Sequence, residues 1–334
     1  MRMLSLFSGI GAFEKALERL GVSIDLINYC EIDKYASKAF SLIHNIPEER
    51  NLRDVREVNT RFISDLDLIT YGFPCQDISN AGLRNGFSDE DGNTTRSGLF
   101  FEALRIIEGT RPKIAIAENV KALVGKRFIN EFNIVLGSLS RLGYNNYYSV
   151  LNAKDYGIPQ NRDRVFIVSI RQDIDKGFTF PKGKELTLRL KDILVDTVDD
   201  KYYLSDSRIA AIKNHKKKQL EKGNRFSARF VTGDDIASSV LTSPDKSAGQ
   251  YLIVDKEKIR KLTPKECFRL MGFDDRDVDT LRDNGISDTQ LYKMAGNSIV
   301  VDVVYHIFEQ LRERYPDIFP RGQMSIEDLM REEG

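Results

Sequence analysis

The chain is poor in cysteine, has no long hydrophobic run and carries no surplus of either charge. Its three cysteines, Cys30, Cys75 and Cys267, make no disulfide framework, and without a Cys-x-x-Cys pair no structural zinc is expected. No metal is expected at all, and a reducing cytoplasm fits the thiol count. No apolar stretch approaches the roughly 20 residues of a membrane span, and the N-terminus does not read as a secretory leader. A membrane partner is therefore not expected. Lys+Arg and Asp+Glu both number 50, so net charge does not point to a polyanion and any nucleic-acid surface must be a local patch. Internal repeats and low-complexity tracts are also missing.

What remains is an ordinary globular composition, 334 residues with 41% hydrophobic and 30% charged, enough for one large domain or two modest ones. Residues 3–7 read as a buried strand. They lead into Ser8-Gly9-Ile10-Gly11-Ala12 and then an amphipathic helix over 13–20, stopped by Gly21. Strand, glycine turn and helix in that order predict a nucleotide pocket at a helix N-terminus. Gly9 and Gly11 match the dinucleotide fingerprint, but Glu14 stands at its third glycine position. A glutamate there would crowd and repel a pyrophosphate, which points to a nucleoside ligand without phosphates. A second strand over 25–30 ends in Glu31, placed to accept from ribose hydroxyls. Its plainer reading is an acid preceding the helix predicted over 34–40; the glycine turn about 20 residues earlier favours ribose. Asp54 is a weaker candidate for an adenine amino group, and an ion pair with Arg53 or Arg56 would look the same.

Residues 65–70 read as a strand running into Tyr71-Gly72-Phe73-Pro74-Cys75-Gln76. Pro74 cannot donate a backbone hydrogen bond and turns Phe73 away from helix, so the strand should end there and leave the Cys75 thiol at its carboxyl end. Alone, a cysteine in such a place is more often a buried thiol than a nucleophile. Residues 76–98 hold four glycines among Ser, Asn and Asp, the composition of a lid. A helix over 99–107, a strand over 113–117 ending in Glu118-Asn119-Val120, a helix over 129–142 and strands over 147–151 and 165–170 follow. The last two flank Gln160-Asn161-Arg162-Asp163-Arg164.

With these residues in place the chain resembles the C5-cytosine DNA methyltransferases of bacteria and phages. Phe7-Ser8-Gly9-Ile10-Gly11 is similar to that family's S-adenosyl-L-methionine turn, Gly72-Phe73-Pro74-Cys75-Gln76 to its nucleophile motif and Glu118-Asn119-Val120 to its acid motif. Gln160, Arg162 and Arg164 fit Gln-x-Arg-x-Arg. Arg260 to Phe273 and Gly296-Asn297-Ser298 match the last two blocks. The resemblance runs in order from residue 4 to about 305. It implies an α/β fold with a Rossmann-like sheet, helices on both faces, and a smaller, mostly β or irregular target-recognition domain. The implied division is a catalytic domain over 1–172 and 290–316, target recognition and hinge over 173–289, and a tail over 317–334.

The chemistry implied by the resemblance is specific. Carbon 5 of cytosine is a poor nucleophile until a thiolate adds at carbon 6, and Cys75 suits that addition. Glu118 would supply a proton at N3 if burial raised its pKa. Arg164 would orient the base through its carbonyl, while Arg162 either joins it or braces the pocket. Phe7, Ser8, Gly9, Gly11, Glu31, Ile32, Asp54, Gly72, Pro74, Asn297 and Ser298 are the implied cofactor contacts, with S-adenosyl-L-homocysteine the product. The base must leave the duplex to be reached. Gln76, Ser79, Arg84 and Arg96 are therefore expected to meet DNA, the arginines at phosphates.

The second half changes character. Short β-like pieces are expected over 178–180, 226–231, 239–242 and 251–254. From Ser207 to Arg229 eight Lys/Arg face one acid, Glu221; this is either a solvated helix face over 209–220 or a phosphate footprint. Arg225, Arg229, Thr242 and Ser243 are candidate DNA contacts. Residues 294–311 read as one helix whose start carries Gly296-Asn297-Ser298. The partners expected are double-stranded DNA and a companion restriction endonuclease, with the protein a monomer acting on host or phage DNA. The alternatives are a tRNA cytosine-5 methyltransferase and a non-catalytic DNA-binding relative; a nicotinamide-dependent dehydrogenase is disfavoured by Glu14.

Overall fold

A computed structural model describes residues 1–74, 96–223, 228–243, 251–255 and 258–322. Cys75, Gln76, Ser79, Arg84 and Arg225 lie outside the described residues, as does the side chain of Arg96. The principal elements are β1 (Arg2–Leu6), α1 (Ala12–Arg19), β2 (Asp25–Cys30), α2 (Lys34–His44), β3 (Leu68–Tyr71), α3 (Phe100–Thr110), β4 (Ile114–Val120), α4 (Ile129–Arg141), β5 (Tyr144–Asn152), β6 (Gln160–Asn161) and β7 (Asp163–Arg171). They continue with α5 (Asp206–Glu221), β8 (Arg229–Val231), β9 (Ala237–Ser238), β10 (Tyr251–Asp255), β11 (Lys258–Lys261), α6 (Pro264–Leu270), α7 (Asp275–Asp283), α8 (Asp288–Asn297) and α9 (Val301–Arg314). Two units divide the chain. The first comprises Met1–Leu151, Asp163–Lys182 and Val303–Gly334, the second Asn152–Arg162 and Gly183–Asp302.

The first unit is built on a six-stranded sheet in the order β2-β1-β3-β4-β7-β5. β1 runs parallel to both β2 and β3, β3 runs parallel to β4, and β7 returns antiparallel to β4. Strands buried on both faces carry near-continuous apolar sequence, and all four residues of β3 are buried. One face, with Leu4, Leu6, Ile69, Tyr71, Ala115, Ala117, Val165 and Ile167, packs with Phe100, Ile107, Phe132 and Leu139 of α3 and α4. Burying each such side chain contributes about 1.5–3 kcal/mol. The alternate residues face the other way, where Thr70 Oγ1 donates to Ser5 Oγ at 3.2 Å, and Phe13 of α1 meets the Phe308 ring of α9 edge-on. Successive connections leave β1 on opposite sides, to β2 and to β3, so the strand order reverses there. The carboxyl ends of β1, β2 and β3 thus surround the crevice in which open α/β sheets bind ligands.

The second unit holds the three-stranded sheet β11-β10-β8, the two-stranded pair β6-β9 and helices α5 to α8. Several expected boundaries move, mostly through contacts distant in the chain. The strand expected from residue 65 starts at Leu68, because Asp65 takes a left-handed backbone (φ 54°) and the Asp67 carboxylate holds the Arg2 N–H and Lys113 Nζ. Residues 178–180 and 239–242 are not strands. The single helix expected over 294–311 is two, α8 and α9. Ser298 adopts extended backbone (φ −70°, ψ 164°), and a Cβ on Gly296 would collide with the backbone nitrogen of Thr242. Gly296 thus serves a close backbone approach.

Candidate active site

At the end of β1 the backbone turns through three left-handed residues, Phe7 (φ 53°), Gly9 (φ 56°) and Gly11 (φ 80°). The Ser8 N–H donates to the Cys30 carbonyl at 3.0 Å, binding the turn to the end of β2. Glu31 completes that join. Its Oε2 accepts from the Gly9 N–H at 2.9 Å and its Oε1 from the Asp33 N–H at 2.8 Å. Asn51 fixes the Glu31 backbone from the other side, accepting its N–H at 3.0 Å and donating to its carbonyl at 2.8 Å; the same amide donates to Ser37 Oγ. The carboxylate is held in place by these two backbone donors. The next residue, Ile32, leaves 73% of its surface exposed, an apolar face beside the acid.

These residues fit an adenosyl amino acid. The Ser8 hydroxyl oxygen is buried without a hydrogen-bond partner, a Cβ on Gly9 would meet open space, and no side chain caps the N-terminus of α1. A ligand with ribose hydroxyls, an aromatic base and a carboxylate would use Glu31, Ile32 and the turn in that order. Glu14 does not oppose such a ligand. Its carboxyl is buried rather than presented to the turn's open side, and burial pushes its pKa up against the weaker pull of His44 and Ser5. The repulsion expected at the third glycine position concerned a pyrophosphate, which this ligand lacks. Asp54 caps the short turn that follows it and is held by Arg56, whose guanidinium keeps the Asp54 carboxyl below the usual range.

The second cluster forms where β3 and β4 end. Register pairs Tyr71 with Ala117 and Val120 with Arg164, so Gly72, Glu118 and Arg164 converge. Arg164 Nε lies 2.9 Å from Glu118 Oε1, with the two side chains 20% and 12% exposed, and Arg164 Nη1 donates to the Asp163 carbonyl at 2.8 Å. A Cβ on Gly72 would stand 3.8 Å from Glu118 Oε2. β4 runs two residues past Glu118. There Asn119 donates from Nδ2 to the buried Phe73 carbonyl at 3.1 Å and accepts the Val120 N–H at 2.8 Å. The chain leading to Pro74 is thereby moored to the acid's own strand. The other two thiols are not available as nucleophiles: Cys30 and Cys267 are buried, and burial pushes Cys30 up to about 12 and Cys267 up as well.

Arg162, Asn297 and Ser298 belong to the second unit. Arg162 is 3% exposed and donates to the carbonyls of Ser298 (2.7 Å), Gly296 (3.0 Å) and Val240 (3.4 Å). Gln160 is fully buried beside it, donating to the Leu270 carbonyl at 2.7 Å and accepting the Val240 N–H at 2.9 Å. Together they tie residue 240 to the ends of α6 and α8. Asn297 is exposed and the Ser298 hydroxyl donates to the Ile299 carbonyl. Arg229 is exposed and donates to Ser238 Oγ at 3.3 Å; Thr242 is exposed and Ser243 half-buried. Of the eight basic residues of that segment, Arg208, Lys213, Lys216, Lys217 and Lys218 lie on α5, which buries Ile212 alone.

Three positions that sequence reading passed over take part. Asn119 had a signal, its place beside Glu118. Asn51 and His44 had none, since their partners lie 20 and 34 residues away.

A model of the C-5 cytosine-specific DNA methylase family matches residues 1–313. Type II methyltransferase M.Bsp6I of Bacillus sp. (strain RFL6) is 35% identical over 93% of this chain and 98% of its own length. Orphan methyltransferase M.SPRI of Bacillus phage SPR is 30% identical over 94% of this chain and 98% of its own. Among solved structures, the Dnmt2 methyltransferase of S. pombe covers 94% of this chain and 98% of itself with a TM-score of 0.71 at 22% identity, a likeness of fold.

Proposed function

Because this chain belongs to the C-5 cytosine-specific DNA methylases, we propose that its Glu118–Arg164 pair and Cys75 carry out the family's reaction, the transfer of a methyl group from S-adenosyl-L-methionine to carbon 5 of cytosine in DNA. The observation that carries the assignment is the convergence of Gly72, Glu118 and Arg164 at adjacent strand ends, with Arg164 Nε 2.9 Å from Glu118 Oε1. When bound, S-adenosyl-L-methionine supplies an electrophilic methyl on a sulfonium.

Cys75 forms the bond to carbon 6 of a cytosine turned out of the duplex, which moves electron density onto carbon 5 and N3. Glu118 provides the proton that N3 takes up, and Arg164 holds the carboxyl in place while offering its remaining N–H groups to the base carbonyl. After methylation, a water acting as base takes the proton on carbon 5, the freed electron pair expels Cys75 as thiolate, and N3 returns its proton to Glu118, which restores the ring. Glu31 receives the ribose, Ile32 the adenine face, and the Phe7–Gly11 turn the amino-acid end. Asn297, Ser298, Gly72 and Pro74 complete the cofactor set, and Asp54 reaches adenine if its bond to Arg56 opens.

We read residues 173–289 as the target-recognition domain, with residues 1–172 and 290–316 catalytic and 317–334 a tail. The exposed lysines of α5, Arg225 and Arg229 would face phosphates of double-stranded DNA. Thr242 and Ser243 stand near the bases, and Gln76, Ser79, Arg84 and Arg96 act around the flipped nucleotide. Arg162 acts as a positioning residue, since its guanidinium is spent on carbonyls. The protein works as a monomer in the cytoplasm on host or phage DNA, beside a companion restriction endonuclease. The deciding experiment is transfer of labelled methyl to duplex DNA and to tRNA, followed by bisulfite sequencing of DNA from expressing cells. Label in DNA that disappears with Cys75→Ser is expected. Label in tRNA alone, or an unimpaired Cys75→Ser enzyme, would overturn the assignment.

A further inference from the structure

Beneath the glycine turn lies a histidine that the reaction does not use. His44 is the last residue of α2, and its side chain is fully buried. Nδ1 lies 2.7 Å from Glu18 Oε1 on α1, and Nε2 lies 3.0 Å from the Ile10 carbonyl in the middle of the turn. A carbonyl can only accept, so Nε2 donates to Ile10, which leaves Nδ1 facing the Glu18 carboxyl. The ring on Gly11's side leaves no room for a side chain, because a Cβ there would collide with Nε2, and Gly11 also has φ 80°. The Phe40 ring packs at 4.8 Å on the remaining flank. The turn is therefore shaped around this imidazole.

We propose that His44 is a positioning residue for the methyl-donor turn, tying the Ile10 carbonyl to Glu18 through one imidazole ring and so holding Ser8, Gly9 and Gly11 in the form that receives the ligand. This rests on the reading of the turn as the S-adenosyl-L-methionine site. The groups facing the ring are Glu18 and Glu14 from α1, the Ile10 carbonyl from the turn and the Phe40 ring from α2 itself. Burial alone would lower the imidazole's pKa, but the Glu18 bond and charge, with help from Glu14 and Ile10, leave it raised. Below that pKa both ring nitrogens donate; as pH rises through it the ring keeps its bond to the Ile10 carbonyl and loses the donation to Glu18. A turn that is competent only part of the time weakens ligand binding by the fraction lost, without touching the chemical step.

Binding of labelled S-adenosyl-L-homocysteine by equilibrium dialysis tests the proposal, using the full chain and the variants His44→Phe, Glu18→Leu and Glu31→Ala. Phenylalanine keeps the aromatic volume and removes both hydrogen bonds. His44→Phe is expected to bind about tenfold more weakly, the size expected of one charge-assisted hydrogen bond. Its KM for S-adenosyl-L-methionine should rise in parallel, with kcat at saturating donor within about twofold of the parent. Glu18→Leu leaves Nδ1 without its partner and should weaken binding in the same direction as His44→Phe. If Glu31→Ala loses affinity while His44→Phe and Glu18→Leu bind as the parent, His44 has no positioning role. If Glu31→Ala also binds normally, the turn is not the cofactor site and the proposal falls with that reading. Should His44→Phe not fold, Glu18→Leu decides alone.

Discussion

Arg164 Nε stands 2.9 Å from Glu118 Oε1 across two antiparallel strands, β7 and β4, 46 residues apart in the chain. Oε1 of Glu118 meets Arg164, and its Oε2 lies 3.8 Å from where a Cβ on Gly72 would stand. Glu118→Gln keeps the shape and removes the transferable proton. It should lower kcat for methyl transfer by about 10²–10⁴, the range of a lost general acid, and move the melting temperature little, since the side chain is at the sheet's end. Arg164→Lys should fall in the same direction, because a single ammonium cannot hold Glu118 and the base carbonyl in one plane. Single-turnover methyl transfer measures both.

Thiol chemistry offers a second check. With its pKa pushed up to about 12, Cys30 holds about one thiolate in 10⁴ at pH 8 and is buried; Cys267 is buried and pushed up as well. Iodoacetamide at pH 8 should therefore modify the native protein once, at Cys75, and three times in concentrated urea. Mass spectrometry of the digested protein reads the positions. Native modification of Cys30 would contradict the burial on which the assignment of the nucleophile leans.

Asn51 makes a third prediction. One side-chain amide fixes both backbone groups of Glu31. Asn51→Ala should raise the KM for S-adenosyl-L-methionine about tenfold and leave kcat nearly unchanged, because a misplaced ribose acceptor affects ground state and transition state alike.

In the second unit, Gly296→Ala forces a Cβ into the backbone of Leu241 and Thr242. Backbone cannot give way as a flexible side chain does, so the substitution should cost about 1–3 kcal/mol, measured as a lower urea midpoint. Arg162→Met should lose at least as much, since it strands the buried Ser298 and Gly296 carbonyls.

Legibility in the sequence followed the range of the interactions. The strand over 25–30 and the helices starting near 13, 34, 100 and 129 were readable because hydrophobic period, glycine stops and proline are local. The turn at Gly9 and Gly11 and the acid at Glu31 were readable for the same reason. Glu14 was read as a charge that would repel a pyrophosphate, and the nucleoside ligand inferred from it stands; that its carboxyl is buried was not legible, because burial at a helix's start is decided by packing. The helix over 294–311 was read as one because its apolar period continues through Ser298. What interrupts it is the backbone of residues 241–242, more than 50 residues earlier in the chain.

The sequence by itself determined the chemistry. A proline-led cysteine, an acid at a strand's end, spaced arginines and a glycine turn specify a C5-cytosine methyltransferase, since each works through its own functional group or backbone freedom. Tertiary structure alone decided which of those groups act together. It made Arg164 a partner of Glu118 and Arg162 a brace for carbonyls, although the two arginines are two residues apart. It also recruited Asn51, Asn119 and His44, whose roles come from hydrogen bonds to backbone groups that only the fold brings within reach. A hydrogen bond is directional and short, and which donor meets which acceptor is settled by packing, not by spacing along the chain.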